Sequence, residues 1–157
     1  MTALQYATFT IDGHFFGINV LVVREINPHT EFTPVDRSPD YVRGLMNLRG
    51  QIVTVIDPAV RFGMGPREIT PASRCIVLKT IREVEDRADG EQLIAETVAD
   101  SVGLLVDDIG DMVSAEIKEI EPPPANIGEI DGRFMKGVVK LEGKLMIVLK
   151  TGEVLKG

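Results

Sequence analysis

VRGLMNLRGQIVTVI (residues 42–56) and MKGVVKLEGKLMIVL (residues 135–149) are the two stretches that decide the fold. Each is an apolar run, a short break ending in Gly, and a second apolar run rich in β-branched side chains. That is the pattern of a β-hairpin. At an offset of 93, Gly44 meets Gly137, Leu48 meets Leu141, Gly50 meets Gly143 and Val55 meets Val148. A looser pair joins FGINVLVVREI (16–26) to VGLLVDDIGDM (102–112) at an offset of 86, with Gly17 on Gly103. Two elements thus recur in the same order. The chain reads as two similar barrels of roughly 60–80 residues, each with a marginal core of its own. They are expected to pack together and unfold as one unit.

The remaining segments fit this frame. Tyr6–Ile11 alternates, Asp12-Gly13 is a turn signal, and Phe15–Val23 reads as the next strand. Cys75–Thr80, Val102–Val106 and Leu145–Leu149 are further strands, in a total of about ten. No segment has the long 3.6-residue periodicity of an amphipathic helix. Short helical turns are expected at Ser38–Arg43 and Asp57–Phe62, where a capping residue precedes Pro, and at Ser114–Ile120 and Gly152–Lys156. REVEDRADGEQLIAE (82–96) is charged and contains Asp89-Gly90, so it reads as the solvated tip of a long hairpin. Many short strands with Gly and Pro turns predict an all-β protein.

Composition narrows the function. The chain has 157 residues, 44% of them apolar, and a net charge of −7. Residues 1–63 hold 5 basic and 6 acidic side chains, and residues 64–157 hold 12 and 18. Neither part offers the basic face that nucleic acid requires, and the absence of Trp leaves little stacking surface. Cys75 is the only cysteine, which removes a disulfide framework and a cysteine-based metal site. No apolar run approaches the ~18–20 residues of a membrane span, and MTALQYATFT lacks the parts of a signal peptide. A soluble cytoplasmic protein is expected.

Comparison of the two hairpins also bears on their turns. Gly50 and Gly143 are kept, while Arg49 becomes Glu142. The backbone therefore needs Gly, at a turn position with positive φ. Arg49 is left free to act through its side chain.

VREI (23–26), VRGLMNLRGQIVTVID (42–57), VGLLVDDI (102–109), IEPPP (120–124) and the closing MKGVVKLEGKLMIVL together resemble the CheW family of chemotaxis coupling proteins. The resemblance runs from about Phe9 to Leu155. It implies a CheW-like fold of two packed five-stranded SH3-like barrels sharing a hydrophobic seam. A single domain spans residues 1–157, with approximate subdomains at 12–68 and 69–150 and terminal segments that cross between them. The implied role is that of a non-enzymatic adaptor bridging the cytoplasmic tips of chemoreceptors to the histidine kinase CheA, in receptor arrays at the inner membrane. It needs no cofactor and no metal.

The family likeness also assigns residues. Glu25 and Arg49 match the positions linked to partner binding. Gly44, Asn47 and Gly50 match the motif around Arg49, and Val23 and Ile26 flank Glu25. Gly103, Val106 and Ile109 match a second-barrel strand associated with the partner groove. The sequence leaves open whether Glu25 and Arg49 meet each other or each find a partner chain. Thr54 stands where relatives often have Pro, and Pro58-Ala59 where they usually have Leu-Arg.

Two other functions have less support in the sequence. A small-molecule-binding β-barrel sensor would need an open interior, whereas barrels of this size fill theirs with side chains. A hydrolase or zinc site would rest on His14 and His29, the only histidines, 15 residues apart. Asp107-Asp108-Ile109-Gly110-Asp111 does not fit a calcium loop, and no phosphate-binding Gly motif is present.

Overall fold

The computed structural model describes residues 3–87 and 90–156. The strands are β1 (Ala3–Ile11), β2 (His14–Asn19), β3 (Val23–Asn27), β4 (Val42–Leu48), β5 (Gln51–Ile56), β6 (Arg74–Leu78) and β7 (Val102–Val106). They continue as β8 (Asp108–Ile109), β9 (Val113–Glu116), β10 (Asn126–Ile127), β11 (Ile130–Asp131), β12 (Met135–Leu141) and β13 (Lys144–Leu149). Among the described residues four short helices accompany them: α1 (Pro58–Arg61), α2 (Ile81–Val84), α3 (Gly90–Ile94) and α4 (Thr151–Leu155). The protein is all-β, as its sequence predicts.

Two main sheets form. One has the order β3-β6-β7-β5-β4. The other has the order β12-β13-β2-β1-β8, with β9 also on β1. The internal repeat is visible in their registers. Gly44 faces Val55 in one hairpin and Gly137 faces Val148 in the other, each beside a register shift. Val55 then pairs in parallel with Gly103, and Val148 pairs in parallel with Gly17. Both aligned pairs of segments therefore occupy matching places.

The sheets do not divide the chain near residue 68. β6 and β7 lie in the sheet of β3, β4 and β5, while β1 and β2 join β12 and β13. Each run of three strands gives its third strand to the other sheet: β3 leaves β1-β2, and β8-β9 leaves β6-β7. This exchange breaks the single strand expected over Phe15–Val23. A 3-10 turn at Val20–Val22, capped by Asn19 accepting from the Leu21 N–H at 3.0 Å, carries the chain across.

Period-2 alternation explains why the strands are so apolar. In the first sheet, Met46, Val53, Val55, Cys75, Val77 and Leu105 face an inner cluster. Their neighbours Ile56, Ile76, Leu78, Leu104 and Val106 face the other sheet. The second sheet does the same with Tyr6, Val139, Met146 and Val148 inside, and Phe9, Ile11, Phe16, Ile147 and Leu149 at the seam. With both faces buried, a strand reads as a continuous apolar run.

Space inside is tight where the parallel strands meet. A Cβ on Gly103 would drive into the Cys75 sulfur, and one on Gly17 would lie 2.6 Å from the Met146 sulfur. Gly103→Ala is expected to cost about 1–3 kcal/mol by overpacking. Cys75→Ala in the same chain should recover part of it, measured by denaturant unfolding. Equal losses with and without the second change would show that the sulfur is not the obstacle.

The short helical turns divide. Asp57 caps α1 and Pro58 occupies its first turn, as expected. The closing turn forms at Thr151–Leu155, one residue early. Ser38–Arg43 is not helical, because Val42 and Arg43 already belong to β4. Ser114 lies in β9, and only Ile117–Glu119 turns, capped by Glu116. Arg82–Glu96 is not a hairpin tip. Its ends form α2 and α3, which bury Val84 and Leu93 against Val22. Asp89 of the expected Asp89-Gly90 turn lies outside the described residues.

Candidate functional site

The hairpin turn that carries Arg49 is built under strain. Arg49 has φ 51° and Gly50 φ 85°, in a two-residue loop closed by the Leu48–Gln51 pair. Positive φ at both central residues is the type I′ turn, which suits Asn-Gly far better than Arg-Gly. A bulky side chain in the left-handed region costs on the order of 1 kcal/mol. Glu142, in the matching turn, does not adopt it. Asn47 offsets the strain locally: its Oδ1 accepts from the Gly50 N–H at 2.8 Å.

From this tip the Arg49 guanidinium reaches Glu25 and donates to its Oε1. Glu25 sits on β3, one edge of the sheet, and Arg49 rises from the hairpin that contains β4, the other edge. The pair thus ties together the two strands that the sheet itself leaves apart. Arg49 keeps 68% of its side chain exposed and Glu25 keeps 25%. The hydrogen bond from Arg49 holds the Glu25 carboxyl below the usual carboxylate range. Of the two arrangements left open by the sequence, the structure shows the mutual one, on a surface where a third group can still approach Arg49.

The other expected residues fall into two sets. Ile26 is exposed on β3 and Val23 is half-buried beside the seam. Gly44 is buried with φ 147°, and a Cβ there would lie 2.5 Å from the Thr33 carbonyl oxygen. It admits the loop whose Thr33 exchanges two 2.8 Å backbone hydrogen bonds with Leu45. Gly103 and Val106 are buried in β7, which belongs to the same sheet as Glu25 and Arg49 rather than to a second barrel. Neither side reaches solvent, so they shape the sheet and do not form an outer contact. Ile109, paired with Phe9, is half-buried at the far sheet.

Arg24, Gln51, Arg82 and Glu83 were not singled out by sequence, yet they surround the turn. Arg24 donates through Nη1 to Gln51 Oε1 at 2.8 Å and to Ser101 Oγ at 3.2 Å. Its Nε donates to Glu83 Oε2 at 3.3 Å, and its Nη2 to Glu83 Oε1. Alternation would set Arg24 on the opposite face from Glu25. A register shift between Val23 and Glu25 changes that and turns Arg24 toward α2. The signal for Glu83 was present as Thr80-x-x-Glu83, the spacing of a capping box. Thr80 N and Oγ1 each donate to Glu83 Oε1 at 3.1 Å. Together with Leu48, Arg49 and Arg82 these side chains line a surface cleft of about 500 Å³.

Burial pushes the Cys75 thiol up to about 12. No group of His, Cys, Asp and Glu among the described residues is arranged to hold a metal ion. Both inner clusters are built of packed apolar side chains, which does not favour the sensor reading. No helix among the described residues is long and apolar enough to cross a membrane.

A family model, the CheW-like domain, matches residues 5–157. The chain belongs to the CheW family. It is 29% identical over 150 residues to a chemotaxis protein CheW of Rhizobium meliloti (strain 1021), covering 96% of this chain and 86% of that one. It is 30% identical over 146 residues to a probable chemotaxis protein CheW of Rhizobium etli, covering 93% and 83%. The crystal structure of the scaffolding protein TtCheW from Thermoanaerobacter tengcongensis superposes with a TM-score of 0.80 at 25% identity, over 100% of this chain and 90% of the other. Strand exchange between two sheets is therefore a feature of a CheW-type domain spanning almost the whole chain.

Proposed function

We propose that this chain is a non-enzymatic chemotaxis scaffold that couples chemoreceptors to a CheA-type histidine kinase. Family membership and a scaffolding protein as structural match support the general role. The observation that carries the specific site is Arg49. A residue held in left-handed backbone at a hairpin tip, largely exposed and oriented by Glu25, is a feature whose strain has no structural return beyond a surface ion pair worth ~0–1 kcal/mol.

On this reading the barrel end with Glu25, Ile26 and Arg49 docks the kinase regulatory domain. Gly44, Asn47 and Gly50 set the backbone that presents Arg49. The receptor's helical tip is taken by a separate apolar surface that includes Val23 and Ile109, in helix-in-groove fashion. Val106 packs beneath that surface in the seam, and Gly103 keeps β7 close to Cys75. The chain works on the cytoplasmic side of the inner membrane, recruited to receptor arrays, and its mechanism is binding. Signal passes only if receptor and kinase contacts favour the same arrangement of the complex.

Arg49→Glu places a carboxylate against Glu25 and removes the exposed cation. It is expected to weaken the kinase complex about tenfold, while moving the melting temperature by only a few degrees. Co-sedimentation of the purified protein with a CheA-type kinase and receptor-tip fragments measures this. A folded Arg49→Glu variant that joins both partners as the wild type does would remove Arg49 from the docking surface.

A further inference from the structure

The α2–α3 segment sits beside the proposed docking end, and its construction is specific. From below it is seated by Val84 and Leu93 on Val22, the residue where the chain crosses between sheets. At its base the Ile81 N–H donates to the Val98 carbonyl at 3.0 Å. From the side it is latched by Arg24, which holds Glu83 through two nitrogens and spends its third on Gln51 and Ser101. One guanidinium thus joins β3, the start of β5, the approach to β7 and α2.

The charges of the resulting cleft do not cancel. Arg24 is matched by Glu83 and Arg49 by Glu25. Arg82, on the same helix as Glu83 and lining the same cleft, is exposed and has no ion-pair partner among the described residues. On a chain of net charge −7 this mouth carries one unmatched cation. The half-buried, apolar Leu48 lines the same cleft.

We infer that the α2–α3 segment is a selectivity wall of the docking end, placing Arg82 to meet a carboxylate that the CheA-type kinase presents beside an apolar side chain. This rests on the reading that the Glu25–Arg49 end is the docking surface. Arg82 supplies the contact, and Arg24 is a positioning residue that fixes α2 against the sheet. Such a rim charge acts on partner choice and on salt dependence more than on fold.

Titration calorimetry of the full chain against a purified full-length CheA-type kinase of the same organism tests it, at low and high salt. Arg82→Glu should weaken binding about tenfold at low salt with an unchanged melting temperature, and Arg82→Gln about threefold. In an Arg24→Gln background the effect of Arg82→Glu should shrink, because an unlatched α2 no longer holds that side chain at the cleft. Wild-type binding by Arg82→Glu, while Arg49→Glu is weakened, overturns the wall and leaves the docking end standing. If neither variant loses affinity, the docking end is elsewhere and the inference falls with it. Full additivity of Arg24→Gln and Arg82→Glu would remove the positioning role.

Discussion

Phe16→Ala lowers the melting temperature by roughly 10 °C or more, and the chain still unfolds in one step. Phe16 is fully buried on β2 and stacks on Phe9 at 5.5 Å and on Phe62 at 5.6 Å, with interplanar angles of 13° and 14°. Phe62 in turn meets Phe134 edge-on at 5.3 Å. Phe62 follows β5 and α1 of one sheet, whereas Phe9, Phe16 and Phe134 belong to or lead into strands of the other. The ring ladder therefore crosses the seam. Removing such a ring costs about 3–5 kcal/mol, out of a total stability on the order of 5–15 kcal/mol for a single domain. The strand exchange adds a topological reason for one transition: neither sheet keeps its full set of strands if the other comes apart. Calorimetry checks both points. Two separated transitions, of which only one moves in Phe16→Ala, would make the sheets independent units.

The repeat made most of this architecture legible. Its glycines mark where one strand must lie close to another, and such constraints survive when side chains diverge. Hidden from the sequence was which strand joins which sheet. Asn19, which caps the crossover at Val20–Val22, is the one polar residue in Phe15–Val23, and a single Asn inside an apolar run does not announce a change of sheet. The 12–68 and 69–150 division failed at the same point, since pairing across the exchange is non-local and leaves no periodic trace. Charge misled the reading of Arg82–Glu96. Only Val84, Leu93 and Ile94 are needed to seat the segment, and among so many Glu, Asp and Arg residues they do not stand out.

The site was legible where it depends on motif and less so where it depends on geometry. Glu25 and Arg49 were found, and they meet. The strain at Arg49 was not foreseen, because alignment with Glu142 suggested that Gly alone shaped the turn. Gly103 and Val106 matched the family pattern yet lie inside, since a motif residue can support a surface without belonging to it. Arg24 needed the bulge on β3, a one-residue shift that no period-2 pattern foretells.

Asp57→Ala is expected to cost about 3 kcal/mol, because this carboxylate is a buried junction and not only a helix cap. Asp57 directly follows β5 and has no exposed surface. Its Oδ1 accepts from the Ala59 N–H at 3.1 Å, opening α1. Its Oδ2 accepts from the Arg67 N–H at 2.8 Å and from Arg43 Nη1 at 3.2 Å. Arg67 then turns its guanidinium to Asp107, with Nε–Oδ1 at 3.0 Å and Nη2–Oδ2 at 2.6 Å. Asp107 also accepts from the Asp12 N–H at 2.8 Å, in the β1–β2 turn. Truncation at Asp57 takes the counter-charge from half-buried Arg43 and leaves the buried Ala59 N–H and the half-buried Arg67 N–H without their acceptor, and such groups cost more than the bonds themselves are worth. Asp57→Asn keeps one acceptor for the cap but loses the charge, so it should fall between wild type and Asp57→Ala. Denaturant unfolding gives the ranking, and a loss in Asp57→Ala below about 0.5 kcal/mol would show that the network does not hold the fold. Because Asp57 lies at the base of the hairpin whose tip carries Arg49, the folded fraction of Asp57→Ala should bind the kinase as the wild type does, whereas folded Arg49→Glu should bind about tenfold more weakly. The two ends of one hairpin are in this way assigned to stability and to docking.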